Sequence, residues 1–285
     1  MIILPPPKLR EFRFLYLIIF FLIGLVSSSS LALASPILKA RIGTVWHPKL
    51  SDTFNLQLSG TLNANISANI YDIDLFDSSA SQIALLKERG HKVVCYFSAG
   101  SSEKWRPDFN KFLKADMGKP LQGWPGENWL DIRSSNVRKI MLARMDLAVK
   151  KGCNGIDPDN VDGYSNFTGF ALTGENQLGY NKFLSRQAHS RGLAVGLKND
   201  VGQLNKLASY FDFAVNEQCH EFEECAGYSA FTSHGKPVLN IEYQQRYIKN
   251  TEGAFVALCK KAHSEKLDTL VLPLLLDGSW RLSCD

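Results

Sequence analysis

After residue 45 the chain repeatedly gives a short apolar run, then polar loop residues, then a stretch with helical periodicity, and this alternation restricts the fold more than any other feature. Parallel strands need long crossovers, which helices supply, so such a pattern builds a parallel α/β sheet. Eight runs are read as strands: Ile70–Leu75, Lys92–Phe97, Trp129–Ile132, Gly155–Asp157, Leu193–Leu197, Phe211–Val215, Pro237–Ile241 and Thr269–Leu275. Helices are expected over Ser79–Arg89, Val137–Lys151, Glu175–Arg191, Val201–Ser209 and Thr251–Glu265. In the second of these, Val137, Ile140, Met141, Met145 and Ala148 fall on one face, and Gly152 follows as a stop signal. A doubly wound open sheet is the rival architecture, but no GxGxxG follows the first run as a dinucleotide site would require. The expectation is a single (β/α)8 barrel of the α/β class, for which 285 residues suffice. The stretch Trp46–Leu62, ahead of the first run, is expected to cap the N-terminal side or edge the mouth.

The opening residues belong to another kind of segment. Lys8, Arg10 and Arg13 precede an unbroken apolar run from Phe14 to Val26, then serines and Ala32-Leu33-Ala34, a small-x-small cleavage pattern. The run is too short to span a bilayer, which takes about 20 residues. The predicted organisation is a signal peptide over 1–34, a short segment over 35–45 and the barrel over 46–285, in a secreted, extracellular protein that no longer contacts membrane after cleavage. Losing three basic residues and one acidic one with the leader lowers the formal charge from +4 to +2. That balance does not favour nucleic acid as a partner. Nothing in the sequence calls for an oligomer, so a monomer is expected. The sequons Asn65-Ile66-Ser67 and Asn166-Phe167-Thr168 could accept glycans in a eukaryotic host.

Six cysteines follow the leader. Cys219 and Cys225, which bound an acidic loop, are the first pair expected to be oxidised, and Cys259 with Cys284 the second. Cys95 inside one apolar run and Cys153 just before another read as buried free thiols. No CxxC or His-x-His spacing suggests a zinc site, and no cofactor or metal is expected.

Function is suggested by what stands at the end of each run. Asp72, Asp74 and Asp77 end the first, Asp157, Asp159 and Asp162 the fourth, Asn199 and Asp200 the fifth, Glu217 the sixth, Glu242 the seventh and Asp277 the eighth. In a barrel all these ends meet on one face, where such enzymes keep their active sites. Asp and Asn also cap helices and make turns, so a single one carries little weight. Three acids in Gly155-Ile156-Asp157-Pro158-Asp159-Asn160-Val161-Asp162 carry more, because like charges in one cavity drive their proton affinities apart. Glu217 also stands out, since Glu is a poor turn or cap residue. Two carboxylates flanking one bond are what most glycoside hydrolysis needs, and Tyr96, Trp105, Trp124, Trp129, Tyr164, Tyr243 and Trp280 are available to stack on sugar rings.

The string Gly155-Ile156-Asp157-Pro158-Asp159-Asn160-Val161-Asp162-Gly163-Tyr164, with Tyr71-Asp72-Ile73-Asp74, Tyr96-Phe97-Ser98-Ala99-Gly100, Trp129-Leu130-Asp131-Ile132-Arg133 and Asn216-Glu217-Gln218-Cys219, resembles glycoside hydrolase family 114. The resemblance implies an endo-α-1,4-polygalactosaminidase on a (β/α)8 barrel, acting on a cationic amino-sugar polysaccharide such as galactosaminogalactan. It implies Asp159 and Glu217 as the catalytic pair, with Asp157 the rival for the first role. Substrate binding is expected from Asp72, Asp74, Tyr96, Asp157, Asn160, Asp162, Tyr164, Asp200, Glu242 and Asp277. The alternatives are a secreted glycan-binding barrel without catalysis and a metal-dependent deacetylase, the latter lacking clustered histidines.

Overall fold

A computed structural model of the chain describes residues 44–285, so the leader assigned to 1–34 lies outside the described residues. Eight parallel strands follow one another around a curled sheet: β1 (Phe54–Gln57), β2 (Ile70–Asp74), β3 (Lys92–Ser98), β7 (Gly155–Asp159), β8 (Ala194–Lys198), β9 (Phe213–Glu217), β10 (Val238–Glu242) and β11 (Asp268–Val271). A short antiparallel β12 (Leu282–Ser283) pairs with β11. The seam between the first and last parallel strands is bridged by other means. Asp268 Oδ2 accepts a hydrogen bond from Phe54 N at 2.9 Å, and Leu58 N and Ser59 N donate to Leu276 O at 2.9 and 3.1 Å.

Alternation within the strands divides the core in two. Phe54, Leu56, Ile70, Val94, Ala194, Phe213, Val215, Leu239, Ile241 and Leu270 point inward and fill the barrel. Tyr71, Ile73, Cys95, Phe97, Ile156, Val195, Leu197 and Ala214 face outward, packed with the helices α1 (Ala80–Glu88), α2 (Ser135–Lys151) and α3 (Gly174–His189). Interior filling demands complementary sizes. A Cβ on Gly196 would sit 2.5 Å from the Phe213 ring, so one strand omits a side chain where its neighbour supplies a large one. The helices end as their sequences dictate: the Ser134 side chain accepts from Asn136 N and Val137 N at the start of α2, and Gly152 stops it at φ 91°.

Two strand assignments change. Trp129–Ile132 is not a barrel strand. Glu127–Leu130 forms β6 of a separate three-stranded antiparallel sheet with β4 (Ser101–Glu103) and β5 (Met117–Pro120), inserted in the crossover from β3 to β7. Apolar content marks a strand but not the sheet that it joins. The eighth barrel strand is instead β1, inside the stretch expected to cap or edge the barrel; its four residues alternate the inward Phe54 and Leu56 with the polar Asn55 and Gln57. The helix expected over Val201–Ser209 shrinks to a 3-10 turn and the single turn α4 (Leu204–Leu207), while the last expected helix covers Ala254–Glu265. No helix among the described residues is long and apolar enough to cross a membrane.

All six cysteines are oxidised. Cys219–Cys225 and Cys259–Cys284 pair as expected. The reading of Cys95 and Cys153 as free thiols is corrected: they are bonded to each other, with Cα atoms 6.1 Å apart across 58 residues. Cys95 faces the helix layer from β3, and Cys153 leaves α2 just before β7, the strand that pairs with β3. Their proximity is a product of that pairing, which no local pattern announces.

Candidate active site

The alternation that fills the barrel changes chemistry at its C-terminal end. Inward positions there are Asp72 and Asp74 on β2, Tyr96 and Ser98 on β3, Asp157 and Asp159 on β7, Lys198 on β8, Glu217 on β9 and Tyr243 just past β10. Lys198 stands at the centre, only 3% exposed, with its Nζ 3.3 Å from Asp159 Oδ1, 3.4 Å from Glu217 Oε2 and 3.9 Å from Asp157 Oδ2. Burial alone would favour the neutral amine. The charges of Asp159, Glu217 and Asp157 outweigh it and hold the ammonium form well above the ordinary lysine range. Two oxygens within reach of one nitrogen are at most about 7 Å apart, a span that glycosidase carboxylates use.

Each of these two acids is further held by a phenol. Tyr96 OH donates to Asp159 Oδ2 at 2.8 Å, and Tyr243 OH donates to Glu217 Oε1. Burial first, and then the adjacent carboxylates, push both tyrosines well above their usual range, so both remain donors. The backbone of Asp159 is fixed as tightly as its side chain: Ala99 N and Gly100 N donate to its carbonyl at 2.8 and 3.0 Å. Gly100 is required for this approach, because a Cβ would lie 1.6 Å from Asn160 O. Asn160, at φ 58°, donates its N–H to Asp159 Oδ1 at 2.7 Å and its Nδ2 to Ser98 Oγ at 2.9 Å. Asn199 Oδ1 accepts from Glu217 N at 3.0 Å. Asp159 and Glu217 keep 18% and 28% of their side-chain surface open to solvent.

Asp72 and Asp157 are fully buried beside this trio with their carboxyls against each other, and no other residue donates to any of their four oxygens. Burial raises Asp157 to about 7, with Lys198 opposing and Asp159 and Glu217 adding to the rise. Burial and the Asp157 charge raise Asp72 well above the usual carboxylate range. The pair therefore stores protons next to the open acids.

Above them opens a cleft of about 450 Å³, lined by Tyr96, Asp159, Asn160, Asp162, Lys198 and Glu217, with Trp105 and Trp124 on the side of the inserted sheet and Leu274 to Leu276 on the seam side. Trp105 and Trp124 are 55% and 49% exposed, as stacking platforms need to be. Glu127, on the insertion, is pushed up to about 7 chiefly by burial, although Ser101 Oγ donates to it.

The residues expected at the site separate into groups. Asp159, Glu217, Tyr96, Asn160 and Asp162 meet in the cleft; Asp74 also lines it, but its carboxylate is locked by Arg106 Nη1 at 2.9 Å and Nη2 at 2.5 Å. Tyr164 and Asp200 line an adjoining pocket. Asp72 and Asp157 lie buried without lining the cleft. Glu242 faces the helix layer, where Oε1 accepts from His220 N at 2.8 Å; burial raises it to about 7. Asp277 sits half-buried past β11, accepting from Ser279 N at 3.0 Å. Lys198 escaped the sequence reading, although Ala194, Gly196 and Lys198 share the inward parity of their strand. Cys219, His220 and Cys225 cluster within 4.8 Å, but with both sulfurs in a disulfide the set offers a metal no thiolate.

The profile of glycoside-hydrolase family GH114 matches residues 37–285. Among solved structures, Ega3 from Aspergillus fumigatus in complex with galactosamine is 41% identical, with a TM-score of 0.80 over 85% of this chain and 98% of that one. The glycoside hydrolase domain of PelA from Pseudomonas aeruginosa, 16% identical with a TM-score of 0.63 over 81% of this chain and 98% of that one, shares the fold. No curated protein sequence matches.

Proposed function

Because the chain belongs to glycoside-hydrolase family GH114, and so is a glycoside hydrolase, we propose that it cleaves α-1,4-linked galactosamine polymers internally, using Asp159 and Glu217 as its acid pair. The observation that carries this reading is the Lys198 ammonium shared by two solvent-reaching carboxylates at the mouth of the barrel. Three donors besides Lys198, from Tyr96 and Asn160, fix the orientation of Asp159, which suits a nucleophile that must meet one anomeric carbon. Glu217, held by fewer donors and more open, suits the group that delivers a proton to the leaving oxygen. The likeness to Ega3, crystallised with galactosamine, supports an amino sugar as substrate. A cleft rich in carboxylates attracts ammonium groups even on a chain of formal charge +4. The basic and then apolar leader supports delivery of the enzyme outside the cell.

Turnover of α-1,4-galactosamine oligomers tests the assignment. Asp159→Asn and Glu217→Gln should each lower kcat/KM by roughly 10³-fold with the fold intact by circular dichroism. Near-parental hydrolysis by either variant removes that residue from the pair. Binding without any chain shortening by the parent protein would favour a glycan-binding barrel instead.

A further inference from the structure

Past the acid pair the cleft continues into a second pocket of about 420 Å³, which shares Asp162, Asn199 and Glu217 with the first. Asp162, Asp200, Glu217 and Glu224 put four carboxylates in its lining, and no lysine or arginine among the described residues lines it. Acidity alone would mean little, but Asp200 adds a separate signal. Held at φ 47° and 2% exposed, it receives Asn181 Nδ2 on Oδ2 at 2.9 Å, while no donor meets hydrogen-bond geometry at its buried Oδ1 and the Tyr164 hydroxyl, also in the pocket lining, lies beside the carboxyl. A buried carboxyl oxygen without a donor costs free energy until a donor arrives.

The pocket also has an aromatic wall. Phe222 is 61% exposed, yet its loop is closed by the Cys219–Cys225 disulfide and by Glu224 N donating to Cys219 O at 2.9 Å. Its exposure is therefore built into a braced loop, next to a carboxylate on the same loop.

We infer that this pocket is a subsite for an ammonium-bearing sugar unit on the far side of the cleaved bond, with Asp200 and Glu224 taking the ammonium group and Phe222 the ring face. The inference rests on the galactosamine reading of the cleft and adds which residues recognise the amine beyond the cleavage point. Burial and the neighbouring Asp162 charge push Asp200 up to about 8, so an entering cation displaces a proton from it.

Calorimetric titration tests the subsite without turnover, using the Asp159→Asn protein with α-1,4-galactosamine oligomers and with their fully N-acetylated counterparts, at pH 7 in two buffers of different ionisation enthalpy. Amine oligomers should bind with release of a proton. Adding Glu224→Gln should weaken them about tenfold and leave the N-acetylated series unchanged, while adding Asp200→Asn should abolish the proton release. Parental affinity in the Glu224→Gln background, equal losses for both series, or proton release that survives Asp200→Asn would each overturn the subsite. The two readings fail separately. A parent enzyme that cleaves the oligomers while the variants bind unchanged refutes the subsite alone, and amine-selective binding as described without cleavage by the parent refutes the activity alone.

Discussion

With its Nζ 3.3 Å from Asp159 and 3.4 Å from Glu217, Lys198 sets the charge balance against which the proposed acids work. Replacing it by Met would leave Asp72, Asp157, Asp159 and Glu217 crowded together without a cation, and at least one more of them would hold a proton at neutral pH. The Lys198→Met enzyme should lose roughly 10²-fold in kcat/KM, and the acid limb of its pH profile should move up by about one pH unit. Lys198→Arg keeps the charge and should keep the limb in place even where the rate falls. A Met variant with the parental limb would show that the ammonium does not govern these acids. The residue shows what the sequence disclosed and what it withheld. Asp159 and Glu217 were visible because they end apolar runs in a fold that gathers such ends on one face. Lys198 was not, since a lysine closing a strand ordinarily reads as a solvated end, and only counting inward positions from Ala194 through Gly196 turns it into the barrel. The same count, begun at Leu239 and Ile241, turns Tyr243 inward and Glu242 out toward the helices.

At the level of elements, local pattern identified seven of the eight parallel strands but misjudged membership twice, counting one strand too many inside the β3–β7 crossover and missing the first. Trp129–Ile132 has the apolar density of a barrel strand, yet Glu127–Leu130 pairs within its own crossover, and Phe54–Gln57 is too short and half-polar to declare itself. Pairing between distant segments decides both cases, and pairing also explains the Cys95–Cys153 bond. That bond ties β3 to the start of β7 across the whole inserted sheet, closing a loop of 58 residues in the unfolded chain. Loop-closure entropy for such a length gives about 4 kcal/mol of stabilisation. The Cys95→Ala/Cys153→Ala protein should therefore unfold at a lower urea concentration, with a stability loss of roughly 2–4 kcal/mol, while hydrolysing oligomers at the parental rate, because neither sulfur lines the cleft. An unchanged midpoint would mean that the unfolded chain is already constrained by other contacts.

The molecule as a whole buries many carboxyls in forms that favour protonation, and this gives its stability an unusual dependence on pH. Burial, as the largest cause, raises Asp162 to about 6, Asp157, Glu127 and Glu242 to about 7, and Asp200 and Asp268 to about 8. In the unfolded chain the same groups release their protons near pH 4. Between that pH and each raised value the folded protein binds more protons than the unfolded one, so stability falls as pH rises through the window and levels off above it. His220 works the other way: burial lowers it to about 4, so its contribution grows with pH between 4 and the ordinary histidine value near 6.5. One such group opposes six. Asp116 and Asp131, both lowered, act only below the ordinary carboxylate range and leave the window untouched. Differential scanning calorimetry at constant ionic strength should accordingly find the highest Tm at about pH 5 and a value at least about 5 °C lower at pH 8. Asp268 offers a check on one contributor, because it holds the barrel seam through Phe54 N and its raised value follows from burial and from the neighbouring Asp285. Asp268→Asn keeps an acceptor for Phe54 N but cannot ionise, so its Tm should fall less steeply between pH 5 and pH 8 than that of the parent. A Tm that climbs across the same interval would mean that these carboxyls are ionised in the folded protein, and the proton-storing interior described for Asp72 and Asp157 would lose its support with them.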